Sequence, residues 1–211
     1  MLLISIAGTF LQSFNRKLLE IIKADARERE RTGETPQQQI MREKREWAIQ
    51  DAQSASLKLE GNAAFSRGDY KEAFIIYSAC AQNSGHEPVY GLNRAAAALK
   101  LKLFMSAEED STHVLELSAP TAKAYFRRGY ARRCLGRLDE AAEDFLSAGC
   151  LQPGDPSVEV EVGEVARLKK LTEAELKSWV AEQGALGVED VFVSREELQR
   201  LVDETISKAS K

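Results

Sequence analysis

Three small residues, Gly61, Ala95 and Gly129, stand 34 residues apart, and Ala73, Ala107 and Ala141 repeat the same interval in register with them. A chain that repeats itself at this period builds one supersecondary unit per repeat and stacks the units, because no single unit can bury its apolar face alone. The three units contain EGNAAFSRGDYKEAFIIYSACAQ, NRAAAALKLKLFMSAEEDSTHVLEL and FRRGYARRCLGRLDEAAEDFLSAGCLQP. Ala, Leu, Glu, Lys and Arg dominate them, so each unit is expected to be helical. The small residues let two antiparallel helices of a unit approach closely, while Phe65, Tyr77, Leu99, Tyr125 and Phe145 fill the remaining space. Gly68 and Gly136 supply the positive backbone dihedral that ends a first helix, and Pro153 stops the last second helix.

The flanks follow from periodicity and breakers. Phe14, Leu18, Leu19, Ile21 and Ile22 recur at near-helical spacing, and RERERTGETPQQQ then turns polar, with Gly33 and Pro36 as breakers. A lead-in helix follows, with Trp47, Ala48, Ala52 and Leu57 available to a core. After the third unit the terminal apolar face needs a cover. VEVEVGEVARLKKL, Val158 to Leu171, is expected to supply it as a helix despite its strand-like alternation of Val and Glu. Two shorter helices are expected at Thr172–Gln183 and Ser194–Ile206, where Thr172 with Glu175 and Ser194 with Glu197 have capping-box spacing. The domains are thus 1–40, an amino-terminal helix and polar linker; 41–170, the repeats with their lead-in and capping helices; and 171–211, a two-helix module.

Composition excludes several functions. The net charge of -4 gives no global attraction to nucleic acid or anionic lipid. No Lys or Arg precedes the apolar MLLISIAGTFL, and the run is far short of the roughly 20 residues of a spanning helix, which argues against export or a membrane span. Cys80, Cys134 and Cys150 form no CxxC pair, so neither a disulfide framework nor a zinc site is expected. They read as packing residues in a reducing compartment, the cytoplasm. His86 and His113 lack ligand spacing or a nucleophile partner, and there is no Gly-rich phosphate loop. No metal, no cofactor and no enzyme activity are expected.

The repeats resemble the tetratricopeptide repeats (TPR) of co-chaperones that bind the Glu-Glu-Val-Asp tail of Hsp90 or Hsp70 class chaperones through a dicarboxylate clamp. The resemblance covers residues 54 to 170 and implies an all-α fold, three helix-turn-helix repeats in a right-handed superhelix with a capping helix. It also implies the clamp: Lys58 and Asn62 in LKLEGN, Asn93 in GLNRAA, and Lys123 and Arg127 in AKAYFRR. The chemistry suits the residue types. A terminal Asp offers two carboxylates; Lys58, Lys123 and Arg127 offer charge-assisted hydrogen bonds, and Asn62 and Asn93 add directional donors without charge. Only four Asn occur in the chain, and two of them hold clamp positions. Phe65, Ala96, Leu99 and Lys100 share the groove-facing helices by their spacing from Asn62 and Asn93 and form the expected pocket for the preceding Val and Glu; Phe65 and Leu99 have plain core packing as an equal alternative.

Two other readings compete. The repeats can serve as a scaffold for a different assembly partner, one without an acidic terminus. The carboxyl-terminal helices, LKSWVAEQG through REELQRLVD, weakly resemble SAP-type helix-loop-helix modules, some of which bind nucleic acid. Residues 157–211 carry 12 acidic against 8 basic side chains, however, which opposes phosphate binding. A protein-docking or capping role for this module is therefore expected.

Overall fold

The computed structural model describes residues 33–210 continuously, together with residues 19, 20, 23, 24, 26, 27, 30 and 31. The export and span question at MLLISIAGTFL, and most of the expected Phe14–Lys23 helix, lie outside the described residues. The chain divides into two compact units, Met1–Ile49 and Gln50–Lys211. Every regular element among the described residues is helical, and none of these helices is long and apolar enough to cross a membrane.

The first described element, α1 (Pro36–Arg67), is a single helix of 32 residues. Pro36 takes the first helical position, where a missing N–H costs nothing. Thr35 caps it reciprocally: the Gln38 N–H donates to Thr35 Oγ1 and the Thr35 N–H to Gln38 Oε1. The expected lead-in helix and the first helix of the first repeat are therefore one element. Its buried stripe is confined to Ser54, Leu57, Gly61 and Ala64. Of the four residues expected to face a core, only Leu57 does; Trp47 is 64% exposed, and Ala48 and Ala52 are exposed too. The partner in the hairpin, α2 (Tyr70–Asn83), has only 14 residues and matches only the last turns of so long a helix.

The remaining hairpins are α3 (Pro88–Lys100) with α4 (Phe104–Leu117), and α5 (Ala122–Cys134) with α6 (Leu138–Leu151). The small residues act as the repeat requires. A Cβ on Gly61 would stand 2.7 Å from the Tyr77 ring, and one on Gly129 would stand 3.1 Å from Asp144 and Phe145. Ala73, Ala95, Ala107 and Ala141 are fully buried. The turns inside the hairpins centre on Gly68, Lys102 and Gly136, all at positive φ.

Polar side chains also repeat. Arg94 pairs with Asp110, and 34 residues later Arg128 pairs with Asp144 at 2.7 Å. Arg132 joins the second pair and also reaches Glu108, so the hairpins of repeats two and three are laced by partly buried guanidinium–carboxylate forks. The corresponding positions in the first repeat are Glu60 and Ile76, and the lacing stops there.

The capping helix, α7 (Pro156–Leu168), buries Val158, Val165 and Leu168 against α6. Its alternation of Val and Glu does not make a strand, because Asp155 caps the Ser157 N–H at 2.9 Å and Pro156 opens the helix. Three helices follow: α8 (Glu173–Gln183), α9 (Val188–Phe192), which was not expected, and α10 (Arg195–Ala209). They run back along the repeats, passing each hairpin turn. A Cβ at Gly136 would meet Val180 of α8 at 2.9 Å, the Leu186 N–H donates to the Lys102 carbonyl, and Phe192 packs on Phe74 of α2. Val202, Leu198 and Leu201 of α10 then join the core of the first two repeats. The segment expected as a two-helix module is a strap bound to the repeats themselves.

Candidate peptide-binding groove

The first helices of the repeats, the end of α1 with α3 and α5, carry every residue expected in the groove. Their positions follow from helical spacing: Lys58 and Asn62 lie one turn apart on α1, as do Lys123 and Arg127 on α5. The structure brings six of the nine to one concavity of about 430 Å3: Phe65, Ala96, Leu99, Lys100, Lys123 and Arg127. Asn62 and Asn93 are not among its lining residues but meet each other, with Asn93 Nδ2 donating to Asn62 Oδ1 at 3.4 Å. Arg127 connects the two regions, since its Nη1 donates to the carbonyl of Leu92, the residue before Asn93. Lys58 does not line the concavity; it sits half-buried one turn before Asn62.

Tyr77 fills the core, as its place in the repeat suggests, and its hydroxyl alone reaches a clamp residue. Its hydroxyl donates to Asn62 Oδ1 at 2.7 Å. With the carbonyl oxygen of the amide occupied by two donors, the Nδ2 hydrogens of Asn62 remain for a ligand; no hydrogen bond from them occurs among the described residues. The far wall holds further residues not foreseen, Phe126, Tyr130, Asp155 and Val158. Phe126 and Tyr130 extend the α5 face beyond Lys123 by the same three- and four-residue spacing and were legible in principle.

The electrostatics separate the groove from the rest of the interior. Arg94, Arg128, Arg132 and Arg133 all face carboxylates. Lys58, Lys100, Lys123 and Arg127 form no ion pair among the described residues. Burial draws the Arg127 guanidinium below its ordinary pKa, opposed only by Tyr77. Burial acts on Arg94 in the same way, yet its hydrogen bond and charge contact with Asp110 outweigh it and hold Arg94 above the ordinary value. Arg127 is thus a desolvated cation that donates to a neutral carbonyl, and among the described residues no carboxylate pairs with it.

Among the described residues no group of three His, Cys, Asp or Glu could hold a metal ion. Burial pushes the Cys80 and Cys134 thiols up to about 12 and about 11, so both are protonated packing residues.

Repeat length, hairpin geometry and a concave face of first helices are those of tetratricopeptide (TPR) repeats. No family model matches the chain. Its repeats are similar to those of RNA polymerase II-associated protein 3: the Rattus norvegicus protein is 39% identical over 104 residues, 49% of this chain but 16% of that protein. The chain thus spans about a sixth of that relative's length. The first TPR of Spaghetti (RPAP3), solved bound to the HSP90 peptide SRMEEVD, superposes with a TM-score of 0.55 at 32% identity, over 57% of this chain and 96% of that one. The second TPR domain of human RPAP3, solved with the HSP70 peptide SGPTIEEVD, gives 0.53 at 34% identity, over 56% and 98%.

Proposed function

We propose that this chain is an adaptor of the co-chaperone type that holds the acidic carboxyl-terminal tail of an Hsp90 or Hsp70 class chaperone in its concave groove and catalyses nothing. On this reading residues 41–170 bind the tail, and the protein works beside those chaperones in the cytoplasm. The observation that carries the reading is the unpaired set of cations. Among the described residues Arg94, Arg128, Arg132 and Arg133 are matched to carboxylates, whereas the half-buried Lys58, the exposed Lys123 and the desolvated Arg127 are not. The two carboxylates of a terminal Asp supply the missing partners, and an internal acidic segment lacks the second. The similar TPR domains solved with tail peptides support the same reading.

Titration calorimetry with a Glu-Glu-Val-Asp peptide tests it. Lys123→Ala removes one partner of a charge pair that binding desolvates, a change that costs about 2–5 kcal/mol, so affinity falls at least about 30-fold. Folding is unaffected, because Lys123 is exposed and bonds to nothing among the described residues. Amidating the peptide terminus weakens binding from the other side. The proposal fails if Lys123→Ala and Arg127→Ala both bind as tightly as the unmodified protein. Binding to neither tail in any buffer near neutral pH would leave a scaffold for another partner.

A further inference from the structure

The 34-residue register does not stop with the third repeat. Gly61, Ala95 and Gly129 are followed at the same interval by Gly163, in the middle of α7. In the first and third repeats this small residue receives the second helix of its own hairpin: a Cβ on Gly61 would meet Tyr77, and one on Gly129 would meet Phe145. A Cβ on Gly163 would meet nothing within 4 Å among the described residues. The capping helix is thus a first helix without a second. The next helix in sequence, α8, does not take the place. It carries Glu175 where the second helices carry Ala73, Ala107 and Ala141, which is too large for the close approach, and its Trp179, in register with Tyr77 and Phe145, lies 5.4 Å from the Arg133 guanidinium of α5 instead.

The face left open is apolar and carries two unmatched charges. Leu146 and Cys150 of α6 are exposed beside Val162 of α7, and the three border a cleft of about 390 Å3. Val162, Gly163 and Ala166 continue the face along α7 by helical spacing, with Glu159 one turn before them and Lys170 one turn after. The other Glu, Lys and Arg side chains from Pro156 to Lys170 are paired: Glu161 with Arg133, Glu164 with Arg167 and Lys169 with Asp139. Glu159 and Lys170 form no ion pair among the described residues.

We propose that this face binds the same face of a second copy of the chain, α7 against α7 and antiparallel, independently of tail binding. A two-fold contact presents one surface to itself, so each residue must find its counterpart with the helix reversed. The stripe Glu159, Val162, Gly163, Ala166, Lys170 meets that condition. Reversed on itself, it sets Glu159 of each copy against Lys170 of the other and places Gly163 opposite Ala166 at the centre, where small residues let two helices close. A partner helix of one charge sign would match one of the two free charges and repel the other; a second copy matches both.

Two helices of 13 residues make a contact at the small end of the interface range, below about 1,200 Å2, so Kd is expected on the order of 10–100 µM. Sedimentation velocity of the full chain from about 5 µM to about 500 µM brackets that range. Reductant is kept present so that the exposed Cys150 thiol forms no cross-link of its own. The unmodified protein is expected to pass from monomer to dimer across the series. Glu159→Lys and Lys170→Glu each set like charges opposite at both ends of the contact, and each is expected to raise Kd at least about tenfold. The double variant restores both pairs in reverse and is expected to return Kd to within about threefold of the unmodified value. Both residues are exposed, so the circular dichroism of all variants stays as in the unmodified protein. A protein that stays monomeric throughout, single variants that dimerise as well as the unmodified protein, or a double variant no better than the singles overturns the inference.

Discussion

Asn62 shows how much of the site a sequence can carry and where it stops. Its place on α1, one turn from Lys58 and opposite Asn93, follows from residue type and the 34-residue register, and so do Lys123 and Arg127. The direction of its amide does not, because that depends on a hydroxyl from α2 that helix packing brings within 2.7 Å. Nor does the sequence distinguish Arg127 from Arg128, adjacent residues of which one is left unpaired and the other is locked to Asp144. Tyr77→Phe removes the hydrogen bond while keeping the ring that fills the space beside Gly61. The Asn62 amide is then free to turn its oxygen to the groove, where it meets a carboxylate unfavourably. Tail affinity is expected to fall about three- to tenfold, the worth of roughly one hydrogen bond. In an Asn62→Ala background the same substitution should change affinity by less than about twofold, since the group it positions is gone. Equal losses in both backgrounds would show that Tyr77 acts on the fold and not through Asn62.

At the scale of elements the repeat frame was read correctly wherever a small residue or a glycine marks it, and least well where the chain departs from its own pattern. Gly68 and Gly136 end first helices at φ +87° and +80°, while the equivalent residue of the second repeat is Lys102 at φ +60°. A side chain with a Cβ is strained there by roughly 1 kcal/mol, which a sequence reading has no means of weighing against the register. The strap also fixes this turn, because the Lys102 carbonyl accepts from the Leu186 N–H. Lys102→Gly is expected to raise stability by about 0.5–1 kcal/mol, the relief of strain exceeding the added freedom of the unfolded chain. Chemical denaturation with an unchanged slope would measure it, and a loss of stability would mean that Lys102 makes a contact worth more than its strain. Caps show the same limit. Thr172 and Glu175 form the full reciprocal box that their spacing promised, whereas Glu197 gives only its N–H to Ser194 and commits its carboxylate to Arg200. Spacing sets what a side chain can reach; competition among neighbours decides what it takes.

At the scale of the whole molecule the strap is the feature that the sequence concealed. The capping spacing of Thr172 with Glu175 and of Ser194 with Glu197 marks α8 and α10 as helices, yet nothing in that spacing says which surface they will cover, since that surface is assembled from all three repeats, from Gly136 under Val180 to Phe74 under Phe192. The anchor is Phe192, 1% exposed, whose ring lies 5.5 Å from that of Phe74 and 5.1 Å below Lys71 Nζ. Directly after it Val193, 85% exposed, adopts φ +68°, a conformation that costs a β-branched residue on the order of 1–3 kcal/mol. Such a residue persists only because Phe192 on one side and α10 on the other are both docked. None of α8, α9 or α10 contributes to the groove wall, which ends at Val158. Stability and tail binding are therefore expected to separate. Phe192→Ala opens a cavity against α2 and loosens the strained turn, and the cost should be about 3–5 kcal/mol, as for other buried Phe. For a unit of this size that lowers the melting temperature by roughly 6–20 °C. At a temperature where circular dichroism still reports the native helix content, the variant should bind a Glu-Glu-Val-Asp peptide within about twofold of the unmodified protein, because Asn62, Asn93, Lys123 and Arg127 stand on α1, α3 and α5, and Tyr77, which orients Asn62, packs against Gly61 of α1 and not against Phe192. A tenfold loss of affinity under those conditions would mean that the strap sets the spacing of the first helices, and that the groove is a property of the closed molecule and not of the repeats.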